Sequence, residues 1–151
     1  MRNVLGIATA LAVFTCGGAA AAGITKEEYK AGKAHIAAEY EADRQKCGAH
    51  LGDAADLCVA RARGAQRVAE AELEAAYKPT PRSNYDAAIA RAQAANTLAK
   101  EECDDRKGEA RKSCEKEAAI ALKRAKAEAT AAMKASNAEQ AARAKPGVAP
   151  R

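Results

Sequence analysis

Two pairs of cysteines are the residues of this chain whose spacing is best suited to chemistry. Cys47 and Cys58 bound the stretch "CGAHLGDAADLC", and Cys103 and Cys114 bound "CDDRKGEARKSC", with the same spacing in both. Four cysteines arranged in this way can form disulfides, bind a metal ion or carry out thiol redox chemistry. The residues between and around them distinguish these uses.

A metal site is the first alternative, because Cys47, His50 and Cys58 offer three ligands of the kind that zinc or copper accepts. The second stretch has Arg106 where the first has His50, and a duplicated metal site is not expected to lose its histidine. Redox catalysis favours a closer C-x-x-C pair, which neither stretch has. We therefore expect no bound metal and no cofactor, and a periplasmic metal binder stays an alternative.

Disulfide bonds require the chain to reverse between the two cysteines of a pair. In one continuous helix the two residues would be about 16 Å apart, whereas a disulfide needs Cα atoms within about 7 Å. Gly52 and Gly108 lie where such a reversal would occur. The reversal is better marked in the first stretch, and pairing across stretches or between molecules is the alternative. We predict two local disulfides, Cys47–Cys58 and Cys103–Cys114.

The two stretches belong to a longer internal similarity. A shift of 56 residues aligns positions 29–76 with positions 85–132. Most identities are alanine pairs, which prove little in an alanine-rich chain. Five are not: Tyr29/Tyr85, Cys47/Cys103, Gly52/Gly108, Cys58/Cys114 and Glu72/Glu128. We interpret this pattern as two copies of one unit.

The first 22 residues are typical of a secretory signal peptide. Arg2 gives one positive charge, an apolar run covers positions 4–14, and three alanines at 20–22 form a cleavage site before Gly23. The run is shorter than the roughly 20 residues that a bilayer-spanning helix needs. Removal of the first 22 residues, which include Cys16, leaves four cysteines. An even number of cysteines fits an exported protein, because disulfides form in oxidising compartments.

Cys16 suggests a second kind of export signal, that of a lipoprotein. Phe14 and Thr15 precede it where a lipoprotein signal requires small residues, so we do not expect lipid anchoring through Cys16. We predict a periplasmic or secreted protein of a Gram-negative bacterium, without a transmembrane segment in the mature chain.

The composition predicts a helical protein with a thin core. Aromatic residues make up 3% of the chain, and tryptophan is absent. Alanine supplies much of the apolar content; it favours helices strongly but buries little area. We predict an all-α fold of two disulfide-stapled helical hairpins, arranged as a four-helix bundle or as an extended hairpin pair.

The hairpins are bounded by capping residues and by a proline-containing linker. Thr25 and Glu28 form a capping box for the first helix, Asp53 is expected to cap the second, and Ser83 or Asn84 the third. The predicted organisation is a signal peptide (1–22), a first hairpin (23–77), a linker (78–84), a second hairpin (85–143) and a disordered tail (144–151).

The fourth helix is the most basic part of the chain. Between Lys116 and Lys145 there are seven basic residues (Lys116, Lys123, Arg124, Lys126, Lys134, Arg143 and Lys145) and three acidic ones (Glu117, Glu128 and Glu139). Such a helix could contact anionic lipid headgroups or lipopolysaccharide. The net charge of +5 is too mild, and too little concentrated, to predict nucleic-acid binding.

No catalytic motif accompanies these features. The sequence has no G-x-S-x-G, no phosphate-binding loop and no H-E-x-x-H. Glu70, Glu72 and Glu74 and the lone His35 are expected on solvated faces. We therefore predict a non-enzymatic protein, with a holdase-like chaperone as one alternative role.

The duplicated Cys-x10-Cys pattern, with a glycine in each copy and "AELEAAYKPT" between them, resembles small exported proteobacterial proteins rich in alanine, lysine and glutamate. The resemblance covers most of the mature chain. It implies a location in the cell envelope and no particular activity. A structural, stress or interaction role is our leading hypothesis, and it rests on the predicted compartment and on the absence of catalytic motifs. Small basic chaperones of the periplasm carry an L-T-x-x-Q motif, which this sequence does not have.

Overall fold

The computed structural model of the protein describes residues 23–144. These residues form four α-helices and no strand, which confirms the all-α prediction. The helices are α1 (Lys26–Cys47), α2 (Asp53–Tyr77), α3 (Pro81–Asp104) and α4 (Gly108–Ala144). The proposed signal peptide at 1–22, with Cys16, and positions 145–151 of the tail lie outside the described residues.

Each helix packs against the next helix along the chain. Within the described residues α1 makes no packing contact with α3 or α4, and α2 makes none with α4. The four helices therefore form an open row, in which the two hairpins lie side by side through α2 and α3. Alternating helix direction places both cysteine-containing loops at one end of the row.

Helix α1 begins with the capping box that the sequence predicts. The backbone N–H of Glu28 donates to Oγ1 of Thr25 over 3.1 Å, and the N–H of Thr25 donates to Oε2 of Glu28 over 2.7 Å. Two amide groups that the first turn leaves unpaired are thus satisfied.

The predicted cap of α2 is wrong. Gly52 occupies the N-cap position with φ at 57°, a conformation that favours glycine, and Asp53 is the first residue of the helix. The short loop needs this left-handed residue to reverse direction. Asp53 and Asp56 lie in the first turn, where their charges complement the helix dipole.

The predicted cap of α3 and the linker length are also wrong. Thr80 caps the helix, Pro81 is its first residue, and Ser83 completes a capping box with Thr80. The linker therefore ends four residues before the predicted boundary. Proline suits this position because its fixed φ is helical and its missing N–H is not needed there.

The core is made mostly of small side chains. Ile36 is the one large aliphatic residue among the buried positions of the described chain; the others are Cys47, Ala62, Ser83, Ala87, Ala92, Cys103, Ala118 and Ala129. Small residues let helices approach closely, so the row gains packing contacts although it buries little apolar area per residue.

The ends of α1 and α2 opposite the cysteines are joined by larger side chains. The rings of Tyr29 and Tyr77 stack with centroids 4.4 Å apart. A Cβ atom on Gly32 would lie 2.7 Å from Cδ1 of Leu73, so in this arrangement the leucine side chain lies against the bare backbone of α1. The first hairpin is therefore fixed at both ends, by a disulfide and by this aromatic contact.

Candidate functional site

Cys47, Cys58, Cys103 and Cys114 form the two local disulfides that the sequence predicts. The Cα atoms are 5.5 Å apart in Cys47–Cys58 and 5.7 Å apart in Cys103–Cys114. The chain therefore reverses in the second stretch as well as in the first. Gly108, with φ at 59°, begins α4 and corresponds to Gly52 of the first loop. Each disulfide joins the adjacent ends of two helices, which is a structural role.

The disulfides change the chemistry available to the proposed metal ligands. Cys47 and Cys58 are bonded to each other, so neither offers a thiolate beside His50, which is exposed in the loop. Residues 23–144 contain no group of three histidine, cysteine or acidic side chains placed to hold a metal ion. His35 is exposed and lies 3.3 Å from Glu39.

The carboxylates of α2 that could do acid–base chemistry instead link helices. Oε1 of Glu72 accepts a hydrogen bond of 2.6 Å from Arg91 of α3. Glu74 accepts a hydrogen bond of 2.7 Å from the hydroxyl of Tyr29 of α1. This bond lowers the pKa of Glu74 and raises the pKa of Tyr29. The two carboxylates thus bind different neighbours and do not converge on one site.

The most distinctive charged surface is on α4, and we call it the α4 outer face. Its members follow steps of three, four and seven residues, so they lie along one side of the helix, and all are exposed: Lys116, Ile120, Lys123, Ala127 and Lys134. Ala118 and Ala129, about half a turn away, are buried against α3. Ile120 is 58% exposed, which is unusual for a large aliphatic side chain.

The lysines of the α4 outer face have no ion-pair partner within the described part of the chain. The neighbouring Arg124 does have one, Glu128, at 3.6 Å. Between Lys116 and Lys134 the acidic residues are Glu117 and Glu128, one position after Lys116 and Ala127, so they point about a quarter turn away from the outer face. The sequence shows that α4 is basic, and the spacing of seven and eleven residues between lysines is the signal that places these three together.

Helix α4 is also the longest element. Its 37 residues correspond to about 55 Å, whereas the 24 residues of α3 correspond to about 36 Å. Positions 137–144 are exposed throughout. Among the helices of residues 23–144, none has the length and apolar character that a membrane span requires.

Comparison of the chain with protein-family models, with curated proteins and with solved structures gave no match. Two disulfides are typical of proteins that fold in an oxidising compartment.

Proposed function

We propose that this is an exported, non-enzymatic protein of the cell envelope, and that it acts by binding anionic, phosphate-bearing lipid surfaces through the α4 outer face. The observation that carries the proposal is the line of unpaired, exposed lysines beside the exposed Ile120. The signal-like N-terminus and the disulfides support export. The periplasm of a Gram-negative bacterium is the compartment that fits both.

The expected binding is electrostatic and shallow. A lysine close to an anionic membrane surface contributes about 1 kcal/mol. Apart from its three lysines, the α4 outer face consists of Ala127 and Ile120, and Ile120 is its one large apolar group, so deep insertion is not expected. Binding should therefore be weak at physiological salt and should weaken further as salt screens the charges.

A holdase activity has less support than surface binding. A chaperone that holds unfolded clients needs an extended apolar patch. Leu51 and Ile120 are the exposed large apolar side chains of residues 23–144. One lies in the first cysteine loop and the other on α4, so they do not form one patch.

Sedimentation with vesicles tests the proposal. The mature protein is mixed with vesicles of phosphatidylethanolamine and phosphatidylglycerol, or with vesicles of phosphatidylcholine alone. We expect binding to the anionic vesicles only. The triple variant Lys116→Gln, Lys123→Gln and Lys134→Gln should lose most of this binding, about a hundredfold at low salt if each lysine contributes about 1 kcal/mol.

The matched control makes the same charge change elsewhere. Lys30, Lys100 and Lys107 are exposed and have no ion-pair partner in the described chain, so their replacement by glutamine tests net charge alone. An equal loss of binding in both triple variants would show that net charge is sufficient and would contradict the proposal. Suppression of client aggregation at molar excess, without vesicle binding, would favour the chaperone alternative.

A further inference from the structure

The packing of α2 on α3 produces a groove on one side of the helix row, which we call the α2–α3 groove. Its floor contains Ala60, Gly64 and Ala94, and Gly64 lies against Ala94 where α2 meets α3. The groove has a volume of about 470 Å³. This size is within the range of small-molecule binding sites.

Polar side chains line the two edges of the groove. Arg63 and Arg67 lie on the α2 edge, and Gln93 and Thr97 lie on the α3 edge. The two acidic members of the groove, Asp56 and Glu101, are at the end near the disulfides. An apolar floor with a few convergent polar groups is the usual design of a small-ligand site.

The two arginines form no direct ion pair within the described residues. Neither Arg63 nor Arg67 forms an ion pair with any residue between 23 and 144, whereas Arg91 on the neighbouring helix pairs with Glu72. The two charges are four residues apart on one helix face, where like charges repel. An anion bound between them would remove this repulsion and accept hydrogen bonds from both guanidinium groups.

The opposite side of the same interface lacks this arrangement. A second groove there is lined by Val68, Leu98 and several alanines, and its charged members are Arg61 and Glu72. Glu72 is already paired with Arg91, and Arg61 is a single cation. The two sides of the α2–α3 interface therefore differ in charge although they share the same floor residues.

We propose that the α2–α3 groove binds a small organic anion with an apolar body. A carboxylate or phosphate head lies between Arg63 and Arg67, with Gln93 and Thr97 as further donors, and the apolar body lies on the Ala/Gly floor. This site is separate from the α4 outer face. Its test therefore gives a result whether or not the protein binds lipid surfaces.

Calorimetric titration with octyl phosphate and with octanoate, each below its micellar concentration, tests the proposal and distinguishes the two head groups. We expect saturable 1:1 binding of at least one. Charge-assisted hydrogen bonds contribute enough that each arginine replaced by glutamine should weaken binding about tenfold. Arg63→Gln with Arg67→Gln should therefore weaken it about a hundredfold.

Arg61→Gln is the matched control, because it removes the same charge from the same helix on the other side of the row. It should leave the affinity within about twofold. Ala90→Leu narrows the groove without removing a charge. It should weaken the binding of octyl phosphate more than the binding of methyl phosphate, because only octyl phosphate has a long apolar body. Circular dichroism confirms that each variant keeps its helices.

Three results would overturn the proposal. The first is equal loss of affinity in Arg61→Gln and in Arg63→Gln with Arg67→Gln. The second is equally tight binding of octyltrimethylammonium, which has the same apolar body and the opposite charge. The third is no binding of either anion at millimolar concentration.

Discussion

Gly64 of α2 lies directly against Ala94 of α3, and a Cβ atom added to Gly64 would be 3.2 Å from the Cβ of Ala94. This contact joins the two hairpins and forms the floor of the α2–α3 groove. A glycine inside a helix costs up to about 1 kcal/mol relative to alanine. Here a Cβ at this distance would require Ala94 to shift by a few tenths of an ångström, so the glycine allows the two helices to lie at their present separation.

Replacing Gly64 by leucine should separate the hairpins without unfolding them. Overpacking at a close helix contact costs about 1–3 kcal/mol, and each hairpin keeps its disulfide. We expect unchanged helical content by circular dichroism and an increased radius of gyration by X-ray scattering. Ala38→Leu, an exposed change on α1, is the control and should alter neither quantity. An unchanged radius in Gly64→Leu would contradict the role of this contact.

The disulfides should contribute much of the stability of this small core. Each closes a loop between residues separated by 11 positions, which corresponds to about 3 kcal/mol in the chain-entropy description. Replacing both cysteines of either pair by alanine should lower the free energy of unfolding by about this amount in urea titrations.

Mass mapping of the mature protein with and without reductant provides the independent check of the pairing. It should recover a Cys47–Cys58 peptide and a Cys103–Cys114 peptide, and it also identifies the N-terminal cleavage site. Four free thiols in the exported protein would contradict both the pairing and the compartment.

Stability should depend on pH through Tyr29 and Glu74. Their hydrogen bond lowers the pKa of Glu74 from 4.5 and raises the pKa of Tyr29 from 10.0. The carboxylate therefore stabilises the fold at neutral pH, and this contribution is lost as pH falls through the lowered pKa. The contribution of the Tyr29 phenol to stability is fully present below pH 10.0 and is lost as pH rises through the raised pKa of this group.

Tyr29→Phe isolates this effect. Its melting temperature should lie below that of the wild type near pH 7, and the difference should shrink toward both extremes of pH. Tyr85→Phe changes the corresponding residue of the second hairpin, whose hydroxyl has no hydrogen-bond partner in the described chain. The difference in melting temperature between this variant and the wild type should therefore not change with pH. A flat difference for Tyr29→Phe would show that only its stacking on Tyr77 matters.

The contribution of the α3 cap to stability should be measurable, although the sequence does not clearly identify the capping residue. Thr80→Ala removes the side chain that accepts from the N–H of Ser83 over 3.0 Å. Loss of a threonine cap costs about 1 kcal/mol. Thr80→Ser keeps the hydroxyl and should retain most of the stability in the same thermal unfolding experiment. Equal destabilisation by both changes would contradict the capping role.

The sequence determined the parts of this fold that depend on local chemistry. Alanine content determined that the chain is helical, the Thr25–Glu28 pair determined where α1 begins, and the cysteines with their glycines determined where the hairpins turn. The sequence predicts Asp53 as the cap of α2 and Ser83 or Asn84 as the cap of α3, whereas the structure has Gly52 and Thr80, which lie shortly before them and are also acceptable caps. Several capping residues close together give a weak local signal.

Only the tertiary structure decided which helix faces are used. For α2 the three- and four-residue spacing predicts one stripe of mostly small residues that faces its neighbours: Leu57, Ala60, Gly64, Val68, Ala71 and Ala75. In the structure α2 also buries Ala62 on its other side, near Ile36 and Tyr40 of α1. Middle helices of an open row pack on two sides, and alanine at every turn suits either side equally. Alanine differs too little in size and hydrophobicity from the residues around it to specify which face of the helix is buried. The helix faces that pack together place Arg63 and Arg67 side by side, opposite Gln93. They also leave Ile120 exposed.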